Sequence, residues 1–262
     1  MPEIRFDDGA AYEQMMGVWS RLAGEVFLDW LKPAQGLLWI DVGCRNGAFT
    51  ELVLSRCAPA EVQGIDPSEG QLAFARMRPG ARGAHFQQGD AMELPFATDS
   101  FDAAVMALVL VFVPDPAKGI AELVRVARPG GLVATYIWDM LDGGFPLDPI
   151  LAEISAMGLS PTRPPRMEAS RLDALSAFWI AAGLTQIETR EIAVQRTFGD
   201  FEEFWQVETK APSIAPMIAE MPLADVATLR QRVQARLPAS ADGRIAYRAR
   251  AHAIKGCKPQ PA

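Results

Sequence analysis

A doubly wound α/β fold is expected from three observations. Short apolar strands alternate with helical segments through the first half of the chain. Three of those strands end at an aspartate, and the first runs directly into a glycine-containing turn that opens a helix. The strands lack strict polar alternation and are apolar on both sides, as in a parallel sheet covered by helices on both faces.

The elements follow in order. Tyr12, Met15, Met16, Trp19, Leu22, Ala23, Val26, Phe27 and Trp30 recur at spacings of three and four, giving one apolar helix face over Tyr12 to Leu31. After Lys32-Pro33-Ala34-Gln35-Gly36, the run Leu37 to Ile40 reads as a strand that ends at Asp41 and enters the turn Val42 to Gly47. A helix carrying Phe49, Leu52 and Val53 fades near Pro59, and Glu61 to Ile65 forms the second strand, ending at Asp66. Ser68 with Gln71 predicts a capping box for a helix over Glu69 to Met77, and Ala84 to Gln88 is a third strand ending near Asp90. Phe101 to Val105 is the fourth strand. Asp115-Pro116 is an N-cap with proline at the first helical position, for a helix that runs to Ala127 and stops in the turn Arg128-Pro129-Gly130-Gly131. Leu132 to Trp138 is the fifth strand. Asp139 to Arg166, rich in Gly and Pro, reads as a long binding loop with room for one short helix. Arg171 to Ala182 is helical, and Thr185 to Val194 and Ile245 to Ile254 are strands. Between those strands lie the aromatic segment Phe198 to Trp205 and a helix over Leu223 to Leu237.

Composition narrows the function. The 262 residues, 50% hydrophobic and 22% charged, make one large domain or one with sizeable insertions, not a disordered chain. The longest apolar run, Ala103 to Val113, is about half of the ~20 residues a membrane-spanning helix needs. Glu3, Asp7 and Asp8 stand where a secretory leader would be basic, so a cytoplasmic protein is expected, with no membrane partner. A net charge of −7 opposes approach to nucleic acid. Cys44, Cys57 and Cys257, with His85 and His252, show no metal-ligand spacing, so no metal is expected.

In an open α/β sheet the ligand lies beyond the carboxyl ends of the strands, where Asp41, Asp66 and Asp90 are expected. Gly43 and Gly47 allow close passage of backbone, a carboxylate at Asp66 suits a ribose diol, and Asp90 suits a purine amino group. Together they describe a nucleoside-shaped groove.

At this point the chain resembles the class I S-adenosylmethionine-dependent methyltransferases, in particular the small-molecule type also seen in ubiquinone and menaquinone biosynthesis. The matching residues are Leu38-Trp39-Ile40-Asp41-Val42-Gly43-Cys44-Arg45-Asn46-Gly47, Gly64-Ile65-Asp66-Pro67-Ser68 and Gln88-Gly89-Asp90-Ala91-Met92-Glu93-Leu94-Pro95-Phe96. Ser100-Phe101-Asp102 and Arg125-Val126-Ala127-Arg128-Pro129-Gly130-Gly131 follow in the family's order. The resemblance implies a Rossmann-like seven-stranded sheet whose last strand, Ile245 to Ile254, runs antiparallel. It implies that Asp41 and the turn Gly43, Cys44 to Gly47 hold the methionine part of S-adenosylmethionine. Asp66, with Pro67 beside it, would take the ribose hydroxyls, and Asp90 with the Ala91 backbone the adenine. An N-terminal helical lid segment, 1–34, would bring Tyr12, Met16 and Trp19 over the cofactor, where aromatic faces suit a sulfonium. The methyltransferase domain would span 35–262, with insertions at about 139–170 and 198–240 that set acceptor specificity.

The family's turn has three glycines, and the middle one is Arg45 here. A positive φ or a close backbone approach at that position would make Arg45 costly; a solvent-facing side chain would not. Asp139, just past the fifth strand, is the candidate catalytic residue for orienting or deprotonating a small-molecule acceptor, with a loop-capping carboxylate as the alternative. Trp138, Phe145 and Trp205 are candidate walls of an apolar acceptor pocket, and Cys44 is read as a packing residue. Two other functions compete. A non-catalytic S-adenosylmethionine-binding or regulatory protein is motivated by Arg45 and the missing base. A nicotinamide-dependent oxidoreductase shares the βαβ unit but needs G-x-G-x-x-G, which Gly43 to Ala48 does not supply. The acceptor's identity and the oligomeric state are not encoded in any motif.

Overall fold

The computed structural model describes residues 13–261, so Tyr12 lies outside the described residues. A short π-helical turn, Glu13–Gly17, leads into α1, Val18–Leu31. The sheet and its crossovers follow as β1 (Leu38–Val42), α2 (Ala48–Cys57), β2 (Glu61–Asp66), α3 (Glu69–Met77), β3 (Ala84–Gln88), β4 (Phe101–Ala107), α4 (Pro116–Val126) and β5 (Ala127–Trp138). Beyond them lie α5 (Asp148–Ala156), α6 (Leu172–Ala181), β6 (Thr185–Phe198), α7 (Phe201–Glu208), α8 (Ala215–Glu220), α9 (Leu223–Arg236) and β7 (Ile245–Cys257).

The seven strands lie in the order β3-β2-β1-β4-β5-β7-β6. β1 to β5 pair in parallel, and β7 is antiparallel to both neighbours, so the doubly wound sheet with a reversed last strand is the observed fold. The chain lays β2 and β3 to one side of β1 and then returns to place β4 on the other. The crevice at that reversal is where such sheets bind ligands.

Local chemistry accounts for the boundaries. Ser68 accepts the Gln71 amide at 3.4 Å and starts α3, although the reciprocal half of the capping box does not form: the Gln71 side chain is buried with neither amide atom partnered. Asp115 caps α4 through the Lys118 amide at 3.1 Å, with Pro116 behind it. The Arg128 to Gly131 segment is strand where a free turn is expected. It is held by the chain's end, Gly130 N–H donating to the Lys258 carbonyl and Lys258 N–H to the Gly131 carbonyl.

α1 is part of the core. Trp19, Ala23 and Phe27 are fully buried, and the Phe27 ring lies 4.5 Å from Tyr136 on β5 and 6.0 Å from Phe49 on α2. Each such ring contributes about 2–3 kcal/mol of burial. Both long insertions leave the carboxyl edge of the sheet: 139–171 follows β5, and 199–244 follows β6, which runs parallel to β5. They hold each other through Arg236 and Glu153, 2.8 Å apart, and form one cap over that edge.

Candidate active site

The crevice starts at Asp41, whose side chain is almost fully buried. Its Oδ2 accepts the Thr50 hydroxyl at 2.6 Å, while Oδ1 has no hydrogen-bond partner. Burial pushes its carboxyl up to about 7; the Thr50 bond opposes this and the nearby Asp66 charge adds to it. Asp66, opposite Gln88 in the register, accepts the Ser68 amide on Oδ1 and the Arg45 amide on Oδ2, each at 2.9 Å. Burial raises its carboxyl as well, resisted by those two amides and the Arg45 charge. The Cys44 thiol is pushed well up by burial and the two aspartates, so it stays protonated, as a packing residue.

A narrow cavity opens over this floor. Asp41, the backbone of Gly43 to Asn46, Phe49, Tyr136 and Ser20 line it. Ser20 Oγ, like Asp41 Oδ1, is buried without a partner. Two unsatisfied polar atoms on one wall are what a polar ligand would complete. Trp19, one residue earlier on α1, turns away: it is fully buried and its indole N–H donates to Glu208 at 2.9 Å. The helix therefore offers Ser20, not Trp19, to the crevice.

Gly43 has φ +77, and a Cβ there would come within 2.4 Å of Val109. What needs the glycine is Val109 on the loop after β4, so the close approach is to protein. Arg45 has φ +49, the left-handed conformation, at a cost of about 1–2 kcal/mol for a residue with a side chain. Its guanidinium lies 4.9 Å from the centre of the Phe112 ring, with Nη2 3.4 Å from the Leu108 carbonyl.

Past Arg45 is a second space of about 640 Å³, walled by Met15, Met16, Phe112, Trp138, Met140, Phe145, Leu147, Leu151, Arg163 and the 211–213 segment of the cap. Arg45 and Leu108 border both spaces. Leu108 is left-handed too, with φ +60.

Asp90 and Ala91 stand apart from both spaces. Asp90 is exposed at the end of β3, where Oδ1 accepts the Met92 amide at 2.8 Å, and Pro67 is exposed with its carbonyl accepting Gln88 Nε2. Asp139 is not in the crevice either. Its oxygens are used by Arg250, through Nε at 3.0 Å and Nη2, and by the Leu141 and Asp142 amides. Burial pushes the Asp139 carboxyl up, but Arg250 and the two amides outweigh it and hold it below the usual range. A carboxylate so placed is a loop cap and a poor base, which corrects the catalytic expectation. Trp138 and Phe145 line the larger space as expected, whereas Trp205 packs on Phe201 inside the cap. His252 Nδ1 lies against the Ser170 carbonyl at 2.7 Å, behind the crevice. Ser20, Tyr136 and Leu108 were not anticipated. Ser20 has no motif around it, and Tyr136 and Leu108 could be placed only by the rule that strand ends β4 and β5 border the crevice.

Residues 40–135 match the family model for a methyltransferase domain. The matched stretch runs from β1 into β5 and contains the glycine turn. A sequence relative is the O-methyltransferase cnsE of Penicillium expansum, 35% identical over 65% of this chain and 60% of that protein. Another is 2-methyl-6-phytyl-1,4-hydroquinone methyltransferase 2 of Oryza sativa subsp. japonica, 40% identical over 40% of this chain and 31% of that protein. The matched part thus spans less than two thirds of either relative. Among solved structures, phosphoethanolamine N-methyltransferase 2 of Haemonchus contortus, in complex with phosphomonomethylethanolamine and S-adenosylhomocysteine, shares the fold. Its TM-score is 0.61 at 19% identity, covering 98% of this chain and 59% of that one.

Proposed function

We propose that this protein transfers the methyl group of S-adenosylmethionine to an oxygen, nitrogen or carbon nucleophile of a small molecule. The observation that carries the reading is the paired cleft. A polar groove beneath the glycine turn, with Asp41 Oδ1 and Ser20 Oγ unsatisfied on its wall, shares Arg45 and Leu108 with an apolar chamber under the cap. The residues present fit the cofactor. Asp41 and Ser20 would take its amino-acid end, while the Asp66 carboxylate at the β2 edge remains the candidate for the ribose, with Asp90 and Ala91 toward the base. Bound S-adenosylmethionine supplies a methyl group already activated as a sulfonium. The chain's part is to orient the acceptor and keep water out, and effective concentration can supply most of the acceleration. Among the described residues the chamber wall carries no histidine, aspartate or glutamate.

Met15 and Met16 line the chamber, which supports a covering role for the N-terminal segment. No helix among the described residues is long and apolar enough to cross a membrane. The three unpaired cysteines suit the reducing cytoplasm, where we place the protein. Calorimetric titration with S-adenosylmethionine and S-adenosylhomocysteine, with NAD as control and an Asp41→Asn variant alongside, tests the reading. Micromolar binding of the sulfur nucleosides, weakened in the variant and absent for NAD, is expected. Binding of neither sulfur nucleoside refutes the proposal.

A further inference from the structure

Of the polar side chains that line the chamber, Arg45, Thr162, Arg163 and Ser213 are half-buried and within reach of water. Trp138 is different. It is 4% exposed, and its indole N–H has no hydrogen-bond partner among the described residues. A buried indole N–H ordinarily finds one. Two others in this chain do: Trp19 donates to Glu208 at 2.9 Å, and Trp179 to the Val133 carbonyl at 3.3 Å. Trp39 on β1 has none either, but it borders neither the groove nor the chamber. Trp138 borders the chamber as the last residue of β5, where the backbone is paired with Ala251 of β7, two residues beyond Tyr136 on the groove wall. An unanswered donor therefore stands one step past the cofactor groove, in a wall shared with Met16, Met140, Phe145, Leu147 and Leu151.

We propose that Trp138 selects the methyl acceptor by donating its indole N–H to an uncharged oxygen, the carbonyl of a ketone, ester or amide, on an otherwise apolar molecule. The inference rests on the methyltransferase reading above. The indole nitrogen donates and offers no lone pair, so it answers an acceptor atom and disfavours a donor such as an ammonium group. One neutral donor does not compensate a charge taken out of water, so a carbonyl suits it better than a carboxylate. Apolar walls hold a molecule without fixing its rotation, whereas one directional bond to a residue of the sheet fixes which of its atoms faces the groove. Trp138 is thus a binding residue that sets both the class of acceptor and its orientation toward the methyl donor.

The test is nuclear magnetic resonance titration of the protein, isotope-labelled at its indole nitrogens and saturated with S-adenosylhomocysteine. The chain has six tryptophans, and the Trp138 signal is the one absent from Trp138→Phe or Trp138→Tyr. The probes are 4-butylacetophenone, the hydrocarbon of the same shape in which a methylene group replaces the carbonyl oxygen, and 4-butylbenzoate. The ketone is expected to move the Trp138 indole proton downfield, the hydrocarbon is not, and the benzoate should bind more weakly than the ketone. The ketone-to-hydrocarbon affinity ratio should fall about fivefold to tenfold in Trp138→Phe. That ratio is internal to each protein, so general loosening of the chamber does not imitate the effect. An indole signal unmoved by the ketone or moved equally by the hydrocarbon, an unchanged ratio in the variant, tighter binding of the benzoate, or binding of no probe overturns the inference while leaving the cofactor reading intact. Failure of the wild-type protein to bind S-adenosylhomocysteine overturns the methyltransferase reading itself.

Discussion

Replacing Glu208 with glutamine should flatten the dependence of stability on pH between pH 5 and 8. Glu208 closes α7 inside the cap and is fully buried. Its Oε1 accepts the Trp19 indole N–H at 2.9 Å and lies 3.5 Å from Arg196 Nη1, while Oε2 has no partner. Burial pushes the carboxyl from 4.5 up to about 7, against the lowering influence of the Trp19 bond and the Arg196 charge. The folded protein therefore keeps this proton through a range in which the unfolded chain has released it. Stability from this group is complete below about pH 4.5 and lost as pH rises through 7. A difference of about 2.5 units at about 1.4 kcal/mol per unit makes the loss about 3 kcal/mol. Asp41, held up to about 7 as well, has a slope of the same sign, but it is present in both proteins and cancels in the comparison. Glutamine keeps an acceptor for Trp19 and buries an unpartnered amide, at a cost of about 1–3 kcal/mol that does not change with pH. The slope is therefore the informative quantity. Urea unfolding at pH 5, 6, 7 and 8, at constant ionic strength, should show the wild-type protein losing about 2.5 kcal/mol more than Glu208→Gln across the range, since part of the loss falls outside it. Parallel profiles for the two proteins would refute the argument, and with it the claim that burial outweighs Arg196.

Gly43→Ala should cost about 3 kcal/mol in urea unfolding, because its Cβ meets Val109 at 2.4 Å and its φ is +77; Val109→Ala in the same chain should recover the packing part and not the backbone part. Asp139→Asn should lower stability by about 2 kcal/mol by removing the buried partner of Arg250 and leaving it only the exposed Glu191, 3.7 Å away, with S-adenosylhomocysteine affinity unchanged; loss of methyl transfer at unchanged stability would return Asp139 to the role of base. Because Asp41 is held up to about 7, its anion becomes available for a cationic ligand as pH rises, so S-adenosylmethionine should bind about threefold to tenfold more tightly at pH 8 than at pH 6. That gain should vanish in Asp41→Asn, and a pH-independent wild-type affinity would contradict the placement of Asp41 at the amino-acid end.

The sequence was most legible where structure is decided locally. β3 and α3 fall on the expected residues, because Ser68 sets the start of α3 within one turn and the strands flanking it are too short to shift without moving an aspartate out of place. The alternation of strand and helix announced the doubly wound class, whereas the order of the strands, and with it the reversal between β1 and β4, is read only from the fold. Positions set by distant segments were less legible. The Arg128 to Gly131 segment became strand because residue 258 pairs with it. α8 carries no cap and no buried residue, so nothing in its own sequence announced it. α5 carries Asp148-Pro149, but Asp148 is its first helical residue and Leu147 stands at the cap, unlike Asp115 at α4. The apolar stripe on α1 correctly identified the buried face, but periodicity does not say whether that face meets protein or ligand. Trp19 found Glu208, which lies 189 residues away in sequence.

The two halves of the cleft differ in the same way, and the difference bears on where specificity resides. The cofactor half is made almost wholly by a contiguous turn and the strand ends beside it, so a short motif can encode it. The chamber is assembled from the π-helical turn before α1, the loop after β4, both insertions and the end of β5, and no local pattern joins these. The halves meet at Arg45 and Leu108, both non-glycine residues held left-handed. Strain of this kind persists only where surrounding structure over-determines it, and it concentrates where chemistry is done. At Leu108 the Tyr136 carbonyl fixes the backbone through a 2.8 Å hydrogen bond, so the fold itself explains the conformation. At Arg45 the Asp66 carboxylate accepts the amide, and the guanidinium lies over the Phe112 ring and reaches the Leu108 carbonyl. A glycine there would make the same amide bond with less strain. What the arginine adds is a side chain that borders both spaces, so one residue of a short turn shapes the groove and the chamber together.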